Sequence, residues 1–263
     1  MSEPPVSVLV TGASSGIGAA TAVAFARAGA TVGICARRED ELAAVLDQCR
    51  EFSAESRMWS VDLADLDGID AFAAKVASEL GGVDVLVNNA GVPKRRKAIA
   101  LTAADVEGVM AINYFSPVRL TLALLPAMIE RGRGHVVNVS SMGAHMVSFG
   151  TGAYAASKAA LEQFTEALYL ELPGTGVQAH LVVPGSTRSE FSTPKDGNDP
   201  PFPQDPATLV APEVVADAIV AAIGTDRFLS FATERDAATA AAKATDPNGF
   251  LAGMQERLAG LGR

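Results

Sequence analysis

Short apolar runs alternate with longer amphipathic stretches along most of the chain. The runs Val6 to Val10, Thr31 to Ala36, Met58 to Val61, Val83 to Val87, Gly134 to Val139 and Val177 to Val183 are too short for stable helices. They are rich in Val, Ile and other apolar residues, so each predicts a buried strand. Between them, Ala19 to Ala28, Glu39 to Phe52, Leu66 to Leu80, Thr102 to about Glu130 and Gly152 to Leu172 read as helices. Gly29 and the pair Gly81-Gly82 stand where two of these helices must stop. Strands and helices joined by short connections predict an α/β fold, a doubly wound parallel sheet of Rossmann type with helices on both faces. Ligands then bind at the carboxyl ends of the strands. Within the long stretch at 102–130, Pro117 and Pro126 are expected to bend or break the helix.

The pattern changes after Val183. Residues 190–211 hold Pro194, Pro200, Pro201, Pro203 and Pro206 and follow neither period, which suggests a functional loop. Pro212 to Ile223 is helical again, and Phe228 to Ala232 reads as a last strand. Ala237 to Leu261 predicts one or two amphipathic helices, interrupted at Asp246-Pro247-Asn248-Gly249. No internal repeat or linker divides the chain.

Composition narrows the partners. Of 263 residues, 49% are hydrophobic and 19% charged, which suits a globular domain. The net charge of −9 argues against nucleic acid as a partner. Cys35 falls in a strand run and Cys49 in a helical one, so two buried thiols are expected rather than a disulfide, and no metal-ligand spacing occurs. The first residues lack the basic and apolar regions of a signal peptide, and no apolar run approaches the roughly 18 residues of a membrane span. The expected location is cytoplasmic, with no membrane span.

Two stretches carry candidate chemistry. Gly12-Ala13-Ser14-Ser15-Gly16-Ile17-Gly18 sits between a strand and a helix, the context in which a glycine turn holds a pyrophosphate. Elsewhere the same letters would be a plain turn. Tyr154 and Lys158 stand at i and i+4 near a helix start, hence on one face. Ser141 ends a strand nearby in the sequence. A free phenol has a pKa of about 10, and a neighbouring ammonium favours the phenolate. Tyr154 is therefore a candidate acid and base. A lone Y-x-x-x-K would more often be a helix-start aromatic and a solvated charge. Pro93-Lys94-Arg95-Arg96-Lys97 reads as a solvated basic loop, and His135 and His180 as structural. His145, with Met146 and Phe149, fits an apolar pocket or a surface loop equally well. A Ser-His-Asp hydrolase is disfavoured for want of a nucleophile elbow.

In order along residues 6 to 232, the chain resembles the short-chain dehydrogenase/reductase family in its compact single-domain branch. The resemblance is carried by Thr11 to Gly18, Asp62-Leu63, Asn88-Asn89-Ala90-Gly91, Asn113, Ser141, Tyr154 with Lys158, and Pro184-Gly185. It implies one dinucleotide-binding and catalytic domain over 1–263, with a substrate lid at 190–211 and a C-terminal helical extension at 233–263. Tyr154 would exchange a proton with a carbonyl or alcohol oxygen, and Ser141, thirteen residues before it, would hydrogen-bond that oxygen. Lys158 would hold the nicotinamide ribose and lower the Tyr154 pKa, and Asn113 would position a water. Cofactor contacts would come from Gly12, Ser14, Ser15, Gly16, Ile17 and Gly18 on the phosphates and ribose, and from Asp62 and Leu63 on the adenine. Asn88, Ala90 and Gly91 would lie along the ribose, and Gly185, Thr187 and Ser189 beside the nicotinamide.

The end of the second strand faces the adenosine ribose in this fold. Here it carries Ala36, Arg37 and Arg38 and no carboxylate, which favours NADP(H) over NAD(H), with Arg37 the stronger contributor. The resulting expectation is an oxidoreductase acting on a small carbonyl or alcohol substrate, as a homo-oligomer (dimer or tetramer). A tail rich in Ala and Leu, in place of an Asp-Gly-Gly turn, weakens an acyl-thioester reductase assignment. The alternatives are a cofactor-binding sensor, or an epimerase or dehydratase on the same scaffold.

Overall fold

The computed structural model describes residues 6–146, 148–193, 196–200 and 206–260. Seven strands form a single parallel sheet: β1 (Ser7–Thr11), β2 (Thr31–Ala36), β3 (Arg57–Ser60), β4 (Val85–Asn88), β5 (Gly134–Val139), β6 (Val177–Val183) and β7 (Leu229–Phe231). Their order is β3-β2-β1-β4-β5-β6-β7. The chain reverses direction of winding between β1 and β4, which pair through Val8–Val85 and Val10–Val87. A crevice at the carboxyl ends of the strands follows from that reversal.

Successive strand residues point to opposite faces, and the core divides accordingly. Val8, Val10, Val32, Ile34, Val85, Val87, Val137 and Val139 pack toward one helical layer. That layer contains α1 (Gly16–Arg27), α2 (Glu39–Arg50) and α8 (Pro212–Ile223), which contribute Phe25, Leu42, Val45, Val215 and Ile219. Leu9, Cys35, Leu86 and Val136 face the other way. They meet α3 (Ile69–Leu80), α5 (Ser116–Arg131) and α7 (Gly152–Glu171) through Phe72, Val76, Leu120, Leu124, Met128 and Leu168. Cys35 and Cys49 are free and buried, as expected.

The expected break at Pro117 does not occur. Helix α4 (Ala103–Met110) runs through a π-helical turn, Ala111–Phe115, directly into α5. Pro117 falls in the first turn of α5, where the shifted hydrogen bonds of the π turn leave no demand on its missing N–H. Pro126 lies inside α5 on its exposed side. Residue Leu122, one turn earlier, is 56% exposed, so the backbone carbonyl that Pro126 leaves without a partner is open to water. The resulting Ala103–Arg131 helix is long and apolar enough to cross a membrane by those measures alone. It packs on the sheet, with Leu120, Leu124 and Met128 in the core. Thr102 starts it with a capping box, its hydroxyl accepting from Asp105 N while the Asp105 carboxylate accepts from Thr102 N.

The four-residue α6 (Met142–His145) follows β5 and was not foreseen, being too short to show a period. At the C-terminal end, α9 (Glu234–Thr245) and α10 (Pro247–Gly260) meet at Asp246, whose side chain accepts from Gly249 N at 2.9 Å. The expected interruption ran over Asp246 to Gly249. Pro247 instead opens α10, since the first helical turn needs no proline N–H.

Candidate active site

The glycine turn closes because two positions exclude a side chain. Gly12 has φ of +67°, and a Cβ there would stand 2.7 Å from Ala90 Cα. At Gly18 a Cβ would collide with the Gly12 carbonyl oxygen. Thr11 fastens the turn to the end of β4. Its hydroxyl donates to Val87 O at 3.3 Å and accepts from Asn89 N and Ala90 N at 3.0 Å each. The backbone at Ser15 is extended, and the Ser15 hydroxyl does not cap α1. It accepts instead from Arg38 Nη2 at 2.8 Å, as the Ser14 hydroxyl does at 3.1 Å.

At the end of β2 the two arginines differ in what they bond. Arg38, not Arg37, lies on the turn. Its other nitrogen, Nη1, donates to Glu190 at 2.8 Å and to Glu41 at 3.3 Å. Arg37 lines the cleft rim as an exposed residue, and its carbonyl accepts from Ser60 Oγ at 3.3 Å. Arg38 is the residue before α2, and its side chain reaches the turn that opens α1.

Asn88 is also corrected. It is 3% exposed, and its Nδ2 donates to Asn138 Oδ1 at 2.8 Å, Thr121 Oγ1 at 3.2 Å and Pro117 O at 3.4 Å. Its side chain ties β4 to β5 and α5 and does not line the cleft. Asn89 takes that place, donating to Thr11 O at 2.9 Å and Gly12 O at 3.3 Å. Strand alternation carries the signal: Asn88 is the last residue of β4, and the next residue turns the other way. Asp62, Leu63, Ala90 and Gly91 line the cleft as expected.

At the other end of the cleft the two adjacent serines separate. Ser140 is 3% exposed and its hydroxyl donates to Glu162 Oε1 at 2.5 Å. Ser141 caps α6, accepting from Gly143 N at 3.0 Å, and hydrogen-bonds Tyr154. Tyr154, Lys158 and Glu162 follow one another along one stripe of α7. Lys158 Nζ donates to Val139 O at 2.8 Å. Asn113 lies in the π turn, fully buried; its Oδ1 accepts from Val92 N at 2.8 Å, and its Nδ2 donates to Val92 O at 3.1 Å and Ser157 Oγ at 3.0 Å.

The expected acidification of Tyr154 is not what the chain alone produces. Burial pushes the phenol up to about 12, and the Ser141 hydrogen bond offsets only part of this. Burial also pulls the Lys158 ammonium down to about 8, opposed by the Glu162 carboxylate. Tyr154 is therefore protonated at neutral pH, the state of a proton donor.

The basic loop at 93–97, expected to be solvated, is largely engaged. Arg95 is 9% exposed and donates to Phe191 O at 3.2 Å, Thr193 O at 2.9 Å and Asp199 O at 3.3 Å. Lys94 pairs with Asp105 and donates to Gly197 O at 3.1 Å, while Arg96 reaches Asp105 at 3.1 Å. These cations and the Thr102 amide hold the Asp105 carboxyl well below the usual range. Unpaired carbonyls in the irregular segment after β6 explain the misreading: they need donors, and this loop supplies them. The Phe191 ring is thereby set 5.4 Å from that of Tyr154, centroid to centroid. Of the expected lid, residues 194–195 and 201–205 lie outside the described residues. Thr187 forms a parallel bridge with Val210, and Ser189 accepts from Phe191 N at 3.3 Å. Gly185 lies against Asp236 of α9, where a Cβ would meet the carboxylate.

Both ends open into one cleft of about 540 Å³, within the range of small-molecule sites. Ser14, Ser15, Gly16, Ile17, Gly185, Thr187 and Ser189 all line it. The glycine turn also spells G-x-S-x-G over Gly12 to Gly16, an elbow that the sequence reading passed over. No histidine serves it. His135 and His180 bond each other at 3.1 Å, and His145 lies 3.3 Å from Glu162 and packs against Phe231. The Ser14 hydroxyl faces Arg38, so no hydrolase triad forms.

The chain is similar in sequence and fold to known proteins of one family. A family model described as short chain dehydrogenase matches residues 7–199. A short chain dehydrogenase of Pseudocercospora fijiensis is 42% identical over 72% of this chain and 62% of its own length. A short-chain dehydrogenase structure from Streptomyces avermitilis superposes with a TM-score of 0.82 at 33% identity, covering 99% of both chains. One from Sphingobium yanoikuyae, in complex with NADPH, gives 0.78 at 28% identity over 94% of this chain and 95% of its own. The chain belongs to the short-chain dehydrogenase/reductase family. It spans 58–63% of the length of the curated relatives it matches first.

Proposed function

We propose that this protein is an NADP(H)-dependent oxidoreductase that interconverts a carbonyl and a secondary alcohol. The observation carrying the reading is one cleft with two matched ends: Arg38 on the Ser14-Ser15 turn at one, and Tyr154 between Ser141 and Lys158 at the other. The residues fit a dinucleotide. Donors cluster at the start of α1, where a helix N-terminus and a guanidinium favour phosphate, and Lys158 offers its ammonium at the far end. The Sphingobium relative's complex with NADPH supports the same cofactor.

NADPH, when bound, supplies the hydride. Ser14, Ser15 and Arg38 hold the adenosine phosphates, and the close packing of Gly12 and Gly18 lets the backbone approach the pyrophosphate. Lys158 orients the nicotinamide ribose. In reduction, Tyr154 gives its hydroxyl proton to the substrate oxygen as that oxygen gains charge. The Ser141 hydroxyl donates a hydrogen bond to the same oxygen. A phenol pushed up to about 12 is protonated at pH 7, the state from which a proton can be given. Phe191 walls the site beside Tyr154 and favours an apolar group on the carbonyl carbon. The segment 190–211 acts as the substrate lid, anchored by Arg95.

Exposed apolar residues on neighbouring helices, Leu122 and Ile129 of α5 and Leu170 of α7, support a homo-oligomer formed through these helices. The activity is tested by following NADPH consumption against aromatic, alicyclic and aliphatic ketones, with NADH in parallel. Reduction of at least one ketone with NADPH preferred is expected. Tight NADPH binding without turnover on any carbonyl or alcohol would favour the sensor alternative.

A further inference from the structure

Lys158 must hold a charge where charge is costly. The ammonium is 4% exposed, and its one hydrogen-bond partner among the described residues is a neutral carbonyl, Val139 O. One helical turn further on, Glu162 is 8% exposed. A carboxylate so placed is unusual unless it is bonded. Ser140 donates to its Oε1 from the end of β5, and His145 Nε2 stands 3.3 Å from the same oxygen, near but not aligned for a hydrogen bond. Phe231 of β7 packs on the His145 ring, with centroids 5.3 Å apart. Three elements therefore converge on a carboxylate that the proposed chemistry does not touch.

We propose that Glu162 is a positioning residue for the reaction proposed above: held by Ser140, with the His145 ring beside it, it keeps the Lys158 ammonium charged within the buried site. The inference rests on that reading of Lys158. The direction of the electrostatics supports it, since Glu162 acts to raise the lysine against the effect of burial. Other charged groups around α7 are engaged elsewhere. Asp105 of α4 is held by Lys94 and Arg96. His135 and His180 of β5 and β6 bond each other. Asp236 of α9, beyond α6, accepts from Thr233. Glu107 of α4 is exposed, and Tyr154 and Ser141 lie on the cleft side. Among the described residues, His145 is thus the one titratable group on a packed neighbour that reaches Glu162. The arrangement also explains why two serines stand in sequence at the end of β5: one faces the substrate, the other the carboxylate behind the lysine.

The test is the pH dependence of kcat for carbonyl reduction in wild type, Glu162→Gln and Glu162→Asp. Loss of Lys158 charge should appear as an alkaline fall in rate. In Glu162→Gln that fall should move to lower pH by about one unit, and Glu162→Asp should restore most of it. An unmoved alkaline limb in Glu162→Gln overturns the proposal, whatever the loss in rate or melting temperature. If that variant does not fold, Ser140→Ala and His145→Gln retain the carboxylate but loosen it. A smaller shift in the same direction is expected in both, and no shift in either overturns the proposal. Tyr154→Phe separates the two levels. Wild-type turnover in the Phe variant would sink the reading of the active site itself, whereas abolished turnover there with an unmoved limb in Glu162→Gln sinks only the role of Glu162.

Discussion

Replacing Arg38 with alanine removes the guanidinium that bonds Ser14, Ser15 and Glu190. On the proposed reading this guanidinium also meets the 2′-phosphate that distinguishes NADP(H) from NAD(H). A hydrogen bond to a charged group contributes about 1.5–3 kcal/mol. The Arg38 side chain is 41% exposed, and Glu190, at 59%, competes for it. Solvent screening therefore places the effect near the lower end, about 1–2 kcal/mol, or roughly 5- to 30-fold in affinity. Dissociation constants for NADPH and NADH, measured by quenching of protein fluorescence at fixed ionic strength, give the comparison. NADPH should weaken by that factor in Arg38→Ala while NADH changes less than about twofold. Arg37→Ala should have the smaller effect, because it is Arg38 that bonds the Ser14-Ser15 turn. Unchanged NADPH affinity in Arg38→Ala would refute the phosphate contact, and an equal loss for both cofactors would reduce Arg38 to a brace for the glycine turn.

Three further outcomes follow from the same geometry. Glu190→Gln should tighten NADPH by about two- to fivefold, since an exposed competing ion pair is worth up to about 1 kcal/mol; weaker binding would mean that Glu190 orders the site rather than competing for it. Arg95→Met strips donors from Phe191, Thr193 and Asp199, so limited proteolysis should cut the 190–199 segment at least several-fold faster and the KM for ketone should rise; an unchanged cleavage rate would contradict the anchoring role. The His135–His180 pair gives a pH signature. His180 Nδ1 donates to Arg227 O at 3.1 Å, so its Nε2 accepts from His135 Nδ1 at 3.1 Å, an arrangement that requires the His180 ring neutral. Burial lowers both from 6.5, so the unfolded chain takes up protons first as pH falls. Stability should be full above about 6.5 and decline below it, and His180→Asn should flatten the melting temperature between about pH 5 and 6.5. An equal slope in wild type and variant would remove the pair as its cause.

The succession of strands and helices and most of their limits were legible because period and punctuation agree. β2, β5, β6 and α8 begin and end where the apolar runs and flanking glycines and prolines place them. The π turn was not legible, since Ala111 to Phe115 differs from an α-helix only in hydrogen-bond spacing. The chemical positions Ser141, Tyr154 and Lys158 converge as their spacing suggested, yet the protonation states do not follow from spacing. They depend on burial, and burial depends on what Phe191 and α6 place over the site. Asn88 was misplaced by one residue, because adjacent side chains at a strand end point in opposite directions. The basic loop was misread for another reason. Arg95 bonds residues about a hundred positions away, and a pattern read along the chain does not show which carbonyls a distant segment leaves unpaired.

In the proposed reaction Tyr154 delivers the proton that accompanies hydride transfer. The direct measurement is single-turnover reduction of a ketone substrate by protein pre-saturated with NADPH, comparing wild type with Tyr154→Phe at equal cofactor occupancy. The Phe variant keeps the ring that packs on Phe191 and loses only the hydroxyl that bonds Ser141. Its NADPH affinity should match wild type within about twofold, and its turnover should fall by at least about 10²-fold. Turnover at the wild-type rate with the phenol absent would contradict the claim.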